Sequence, residues 1–419
     1  MARASSRDSS QWEISTEVES MGRNTALKAF ALASVLRAIS IVLVTVGLLA
    51  AGVVLLGQPL RRAEGAAAPP GVTHTYYIAA DEIDWNYAPA EMDHMTGKPY
   101  DERARVFIDN TPEQIGRIYK KAIYREYTDA SFTTLKARSS AWEHLGIVGP
   151  VLRGEVGDTL KIVFKNNARF PFSMHGHGVR YDQASDGVAG VPPGGTFTYT
   201  WIIDPRTGPQ AGEPSSKFWL YHSHSNEQRD MGAGLVGGII VSARGTVKQD
   251  GTPKVIDREF VAVFYTIDEN ASWYLDQNIA AYVRDPKTLR KTALVFRDID
   301  GQPVNVGFPA TNLRETINGY LFANTPGLTM KQGDRVRWYT AGLGFHTAHW
   351  HANTVRLDNN SVDVVPLSPA EMHTTDMMAE NPGVWMFHCH VEGHLANGMY
   401  AHYTVEPVGK QQTRRVPRP

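Results

Sequence analysis

Trp385-Met386-Phe387-His388-Cys389-His390-Val391-Glu392-Gly393-His394-Leu395-Ala396-Asn397-Gly398-Met399 holds the only cysteine of this 419-residue chain. Histidines flank Cys389 on both sides, and His394 and Met399 follow within the same stretch. A thiolate, imidazoles and a thioether make up the donor set of a blue-copper electron-transfer site, in which the Met is a weak axial ligand. A buried core thiol is the bland alternative, and the histidines on either side weigh against it.

Side chains leave a strand on alternate faces, so the two histidines of any His-x-His point one way and the residue between them the other. On this parity Cys389 is separated from His388 and His390. His346 is separated in the same way from His349 and His351. One face then collects His346, Cys389, His394 and Met399, and the other collects His349, His351, His388 and His390.

The pattern occurs twice. Gly157-Asp158 opens a strand and leads to His175-Gly176-His177, as Gly333-Asp334 leads to His349-Trp350-His351. Trp219-Leu220-Tyr221-His222-Ser223-His224 mirrors Trp385 to His390. The first copy lacks the blue-site donors: Phe172 stands for His346, Ser223 for Cys389, Gln228 for His394 and Leu235 for Met399. Both of its His-x-His pairs remain, which brings the second set to eight imidazoles with His175, His177, His222 and His224. Eight are too many for one copper; three coppers would take three, three and two of them, with positions left for oxygen species. Ten of the fifteen histidines lie in these motifs, whereas His74, His94, His144, His373 and His402 fit no pattern.

From Val72 onward the chain reads as β structure: short runs rich in Val, Ile, Tyr, Phe and Thr, broken by Gly, Pro, Asn and Asp. Thr75–Ile78, Leu160–Phe164, Thr196–Trp201, Gly238–Val241, Val261–Tyr265 and Val336–Tyr339 are strand candidates, and Thr111–Tyr124 and Asp276–Lys291 are short-helix candidates. The polar stretch Ser242–Asp257 reads as a linker. The expected fold is all-β: two cupredoxin-like Greek-key β-sandwich domains, 71–245 and 246–408, with a polar tail at 409–419.

Residues 1–70 are expected to be a leader. Ala38–Gly57 carries no charge over a length that spans a bilayer as a helix, and Arg23, Lys28 and Arg37 precede it. Ala66-Ala67-Ala68 offers a small-residue cleavage site, so signal peptide and membrane anchor both stand, and either Met1 or Met21 serves as the start. Both readings place the domains outside the cytoplasm. A balance of 42 basic and 43 acidic residues gives no reason to expect a nucleic-acid partner, and one cysteine excludes an intrachain disulfide.

His-x-His, His-x-His, His-x-x-His-x-His and His-Cys-His-x3-His-x4-Met together resemble the motifs of the multicopper oxidases. Tyr76–Trp85, Trp142–Pro150 and Ser185-Asp186-Gly187 with Val191–Gly194 are similar to the ceruloplasmin and hephaestin branch. Two domains with the blue site in the second resemble the bacterial two-domain laccases. The resemblance implies four coppers per chain. His346, Cys389, His394 and Met399 would hold type 1, His175 and His349 type 2, and His177, His222, His224, His351, His388 and His390 the type 3 pair. It implies one-electron oxidation of a small-molecule or metal-ion donor at type 1, coupled to four-electron reduction of O2 to water. It also implies a homotrimer with clusters between domain 1 of one chain and domain 2 of the next. Tyr181 matches a tyrosine placed near the cluster in small laccases, and reads equally as an ordinary sandwich tyrosine. Gly176, bare where a larger residue stands in the second copy, is expected to keep the ligands and open the site.

The rival is a copper nitrite reductase, also two cupredoxin domains, which would put the cysteine in the first domain where Ser223 stands. A copper store is weaker, since it needs no electron path. A phenol or aromatic amine donor needs an apolar pocket near His394. A metal-ion donor needs carboxylates there, for which Asp363, Glu371, Asp376 and Glu392 are candidates and for which solvated loop charges are the commoner reading.

Overall fold

The computed structural model describes residues 71–283, 289, 293–297 and 303–408. The leader, with Ala38–Gly57, lies outside them. Among the described residues no helix is long and apolar enough to cross a membrane.

Apart from two small hairpins, Met92–Asp93 with Lys98–Pro99 and Ala293–Arg297 with Pro303–Gly307, the described strands form two pairs of sheets, one pair from residues 73–242 and one from 258–406. In the first half one sheet runs Ile118–Tyr127, Thr73–Asn86, Thr159–Asn166, Thr196–Ile202, and the other runs Leu152–Glu155, Val236–Ser242, Ser216–His222, His175–Gly176. The second half repeats this order strand for strand. Its first sheet begins Leu313–Ile317, Arg258–Asp268, Arg335–Leu343, Glu371–Met378, and its second runs Thr329–Lys331, Tyr400–Glu406, Gly383–Cys389, His346–Trp350, Val364–Leu367. Each sheet contains one parallel pair at the equivalent place. This is the mixed order of a cupredoxin-like Greek-key sandwich.

The sequence dictates these strands by alternation. Along Thr159–Asn166, Leu160, Ile162 and Phe164 are buried, while Lys161 is exposed and Lys165 half-exposed. Thr111–Tyr124, a helix candidate on sequence, is instead strand from Ile118 onward, where its residues pair with Thr73–Asn86. Leu275–Tyr282 is helical, at the start of the other candidate stretch.

Each half has its own apolar core, around Phe164, Trp201 and Tyr221 in the first and Trp338, Trp350 and Phe387 in the second. A third core joins them, with Tyr119, Ile147, Phe218 and Leu220 meeting Val261, Val263, Tyr339 and Ala341. Two buried ionic clusters cross this joint. Lys121 and Glu269 are both fully buried, 2.5 Å apart, and Tyr87 donates to the same Glu269 oxygen. Arg153 donates to Glu259 at 2.8 Å, and Tyr339 donates to Glu259 at 2.7 Å. A buried charge costs little only while it is paired. Glu269→Ala should therefore lower the free energy of unfolding by about 3–5 kcal/mol, because Lys121 is left with the Gly232 carbonyl alone. Urea denaturation of the two proteins measures the difference, and a change within about 0.5 kcal/mol would contradict it.

Candidate metal centre

The Gly383–Cys389 strand lies between His346–Trp350 and Tyr400–Glu406. His349 pairs with His388 and Ala348 with Cys389, so the alternation of both strands separates two sets of donors. On the core side Sγ of Cys389 is 3.9 Å from Nδ1 of His346 and 3.7 Å from Nδ1 of His394, and these two nitrogens are 3.1 Å apart. The short helix Glu392–Ala396 carries His394 back over the thiol, and the chain turns at Gly398 with φ +109°, where a Cβ would meet the Phe322 ring at 2.9 Å. Met399 then returns to pair its carbonyl with the Cys389 amide, and its side chain is fully buried in the same core.

On the opposite face His349 Nδ1 and His351 Nε2 each stand 3.0 Å from His388 Nε2, and the His390 ring lies 5.2 Å from that of His349. The first half builds a matching quartet. His177 Nε2 and His222 Nε2 are 3.0 Å apart, and the His175 and His224 rings lie 4.8 Å from each other. Among the described residues no ring of one quartet contacts a ring of the other.

Copper fits these positions for an electrostatic reason. His388 donates Nδ1–H to the Cys389 carbonyl at 2.8 Å, His222 does the same to Ser223 at 3.0 Å, and His175 to the Asp186 carbonyl at 2.7 Å. Each neutral ring so fixed turns the lone pair of its other nitrogen inward. At each 3.0 Å contact one lone pair is thereby fixed toward the neighbouring ring, so a cation bound among these nitrogens finds donors already aimed at it. Burial, followed by the neighbouring imidazoles, holds His177, His346 and His388 down to about 4, in the uncharged form that binds metal. Burial also raises the Cys389 thiol, a cost that a bound cation removes by deprotonating it.

The first half shows what replaces the blue-site donors. The Ser173 amide donates to Ser223 Oγ at 2.9 Å, as the Thr347 amide approaches Cys389 Sγ at 3.5 Å. Ser223 donates a hydrogen bond from its hydroxyl to Asp230, a fully buried carboxylate that also accepts from Ser225, the Asn226 amide and Trp273. Phe172 and Leu235 fill the places of His346 and Met399 as buried apolar residues. Gly176 does not open the site. A Cβ there would meet Val179 at 2.9 Å and the Trp201 ring at 3.0 Å, so the space beside the glycine is already filled.

Several acids take places that spacing did not reveal. Asp186 has its carboxylate 3.3 Å from His175 Nδ1, and Tyr181, 5.8 Å from the His175 ring, is pushed up to about 12 by burial and by Asp186. Glu227 stands 3.4 Å from His224, and Asp363 lies beside His349 at 3.8 Å, away from His394. Glu371 is engaged by His373 and the Ser368 amide, Asp376 is gripped by both arms of Arg337, and Glu392 is exposed. The carboxylate beside His394 is Glu315, 4.0 Å from Nδ1 and nearly buried, which sheet pairing brings in from a distant strand. His74 is bound by Asp158, and the buried His144 accepts the Val261 amide, so both are structural.

Because imidazoles held at about 4 resist protons that unfolded ones accept near 6.5, folding of the copper-free chain weakens as pH falls between those values. Urea midpoints at about pH 7 and about pH 4.5 should show the loss, and it should be smaller in His388→Gln. Equal losses in the two proteins would contradict the assignment.

Two multicopper oxidase family models match residues 126–246 and 300–409. Mouse hephaestin is 39% identical over 343 residues, covering 80% of this chain. The human ferroxidase HEPHL1 is 38% identical over 355 residues and covers 80% of it; human ceruloplasmin is 37% identical over 343 residues and covers 79%. The chain spans only 29%, 29% and 30% of those relatives. The solved structure of the multicopper oxidase mgLAC shares the fold, with a TM-score of 0.51 at 20% identity over 82% of this chain and 90% of that one. Two matched models, one over each half, and relatives aligned across both halves show that the chain belongs to the multicopper oxidase family.

Proposed function

We propose that this chain oxidises Fe(II) one electron at a time and reduces O2 to water, with four coppers per chain. The carrying observation is the adjacency of Cys389 and His388 on opposite faces of one strand, with a converging donor set on each face. Copper held by His346, Cys389, His394 and Met399 would accept single electrons, and copper held by the eight His-x-His imidazoles would reduce O2. Cys389 joins the two faces covalently through the backbone to His388 and His390. The His388 Nδ1–H bond to the Cys389 carbonyl adds a second short route between them.

O2 reduction to water consumes protons. Asp186, set between Tyr181 and His175, is the group placed to hand protons toward the first quartet. Each quartet is half of a cluster, and the absence of ring contact between them among the described residues supports completion by a second copy, as a homotrimer. The two sandwich domains are proposed as 71–245 and 246–408, outside the cytoplasm, with residues 1–70 as an export leader or anchor.

Fe(II) is the favoured donor because Glu315 supplies a hard oxygen ligand beside His394, and because a relative at 38% identity carries the name ferroxidase. Ser223 at the first-half position leaves a nitrite reductase without its cysteine. Copper analysis should give four per chain, where two would favour a reductase. Cys389→Ser should lose the blue absorption and all donor oxidation while keeping part of its copper. His222→Ala should keep the blue absorption and lose oxygen uptake; normal uptake would overturn the trinuclear assignment.

Glu315→Gln should reduce kcat/KM for Fe(II) by about 10–100-fold and leave oxidation of a phenol within about twofold, at equal copper loading. Equal losses on both donors would assign Glu315 to the blue site itself rather than to the donor.

A further inference from the structure

Two histidines outside the motifs remain. His94 sits on the hairpin Met92–Asp93/Lys98–Pro99 of the first half, and His402 on the last strand of the second. Their ring planes lie within 29° of each other with centroids 6.3 Å apart, a separation that accommodates one ion between a nitrogen of each when the rings lie edge to edge, since metal–imidazole bonds are about 2 Å. Nδ1 of His402 is buried and has no hydrogen-bond partner. A buried polar atom ordinarily has a partner, and this unpartnered nitrogen belongs to a ring that lies beside a second imidazole.

Strand register supplies a third donor. His402 is paired directly with Met386, which places that thioether on the same sheet face beside it. Met386 precedes His388 by two residues and so shares its face, and the Met386 carbonyl accepts the His351 amide at 3.0 Å. His402, Met386 and the pair His351 and His388 therefore form one row across the sheet. A cavity of about 560 Å³ lined by Asp93, Met95, Met386 and Tyr400, among others, reaches that row at Met386. Asp93 accepts the Tyr400 hydroxyl at 2.7 Å and places a negative charge by the rings. Burial and His94 keep His402 below the ordinary imidazole value, as its uncharged form.

We propose that His94, His402 and Met386 bind one Cu(I) beyond the four of the oxidase, and that this ion passes by ligand exchange along the row to His351 and His388. Two imidazoles and a thioether are soft enough to select Cu(I) over hard divalent ions. Copper remains Cu(I) throughout, so the transfer requires no oxidant. The delivery role rests on the trinuclear reading, whereas the site itself does not.

The test titrates copper-free full-length protein with Cu(I) against a chromophoric Cu(I) chelator under anaerobic conditions, then admits O2, which oxidises the bound Cu(I) to Cu(II), and follows recovery of the blue absorption at limiting Cu(I). His94→Ala, on an exposed hairpin, and Met386→Leu, nearly isosteric, should each bind one equivalent fewer than the unsubstituted chain. Their recovery should be about tenfold slower, the scale on which a lost supporting ligand alters metal affinity, and should end at the same blue and near-ultraviolet absorption. Equal stoichiometry in all three proteins would overturn the site. One equivalent fewer with unchanged recovery would overturn delivery alone. If no protein develops the near-ultraviolet band of a coupled copper pair, the trinuclear reading fails while the difference in equivalents still decides the site.

Discussion

Successive side chains of an extended strand leave opposite faces, so a thiol and the imidazole next to it cannot bind the same ion. At Cys389 this restriction sets the layout of the protein. The thiol looks into the sandwich core, where Trp338, Trp350 and Phe387 exclude water, and His388 looks out to where three other imidazoles gather. Two environments, one dry and apolar and one open to small molecules, are thereby held a single residue apart. No flexible loop could hold them so, because the separation depends on both flanking strands being paired in register.

The duplicated half supports the same logic by contrast. Its backbone around Ser173 and Ser223 keeps the bonds that Thr347 and Cys389 make, down to the amide of His224 donating to Ser173 as that of His390 donates to Thr347. What changed is the demand for charge. A core that would hold a thiolate and a cation instead buries Asp230, whose oxygens are met by hydroxyl, amide and indole donors. A buried polar group tolerates burial when every lone pair has a partner, and here hydrogen bonds do what a metal would otherwise do.

Much of this was legible in the residues. Period-two alternation around His388 to His390 predicted which donors share a face, and the twofold pattern predicted two sandwiches of one design. The acids were not legible, because Glu315, Asp186 and Glu227 reach the histidines through strand pairing and turns, which spacing along the chain does not encode. Asp363 and Asp376 show the converse: proximity in sequence to the motif placed them near His394, whereas register sends one to His349 and the other to Arg337. His94 and His402 looked incidental because their relation exists only once the two halves are joined.

Gly176 and Trp201 carry a consequence for how such chains diverge. The indole beneath the first His-x-His pair comes from the Thr196–Ile202 strand, whereas in the second half the residue between the paired histidines provides its own ring. Read one column at a time, position 176 looks like a loss of bulk; read as a volume, the space beside it is already filled from another strand. Neither residue is then free to drift alone. A larger side chain at 176 requires a smaller one at 201, so the two should vary together among descendants of this chain, and a change at either without the other would be selected against through the placement of His175 and His177.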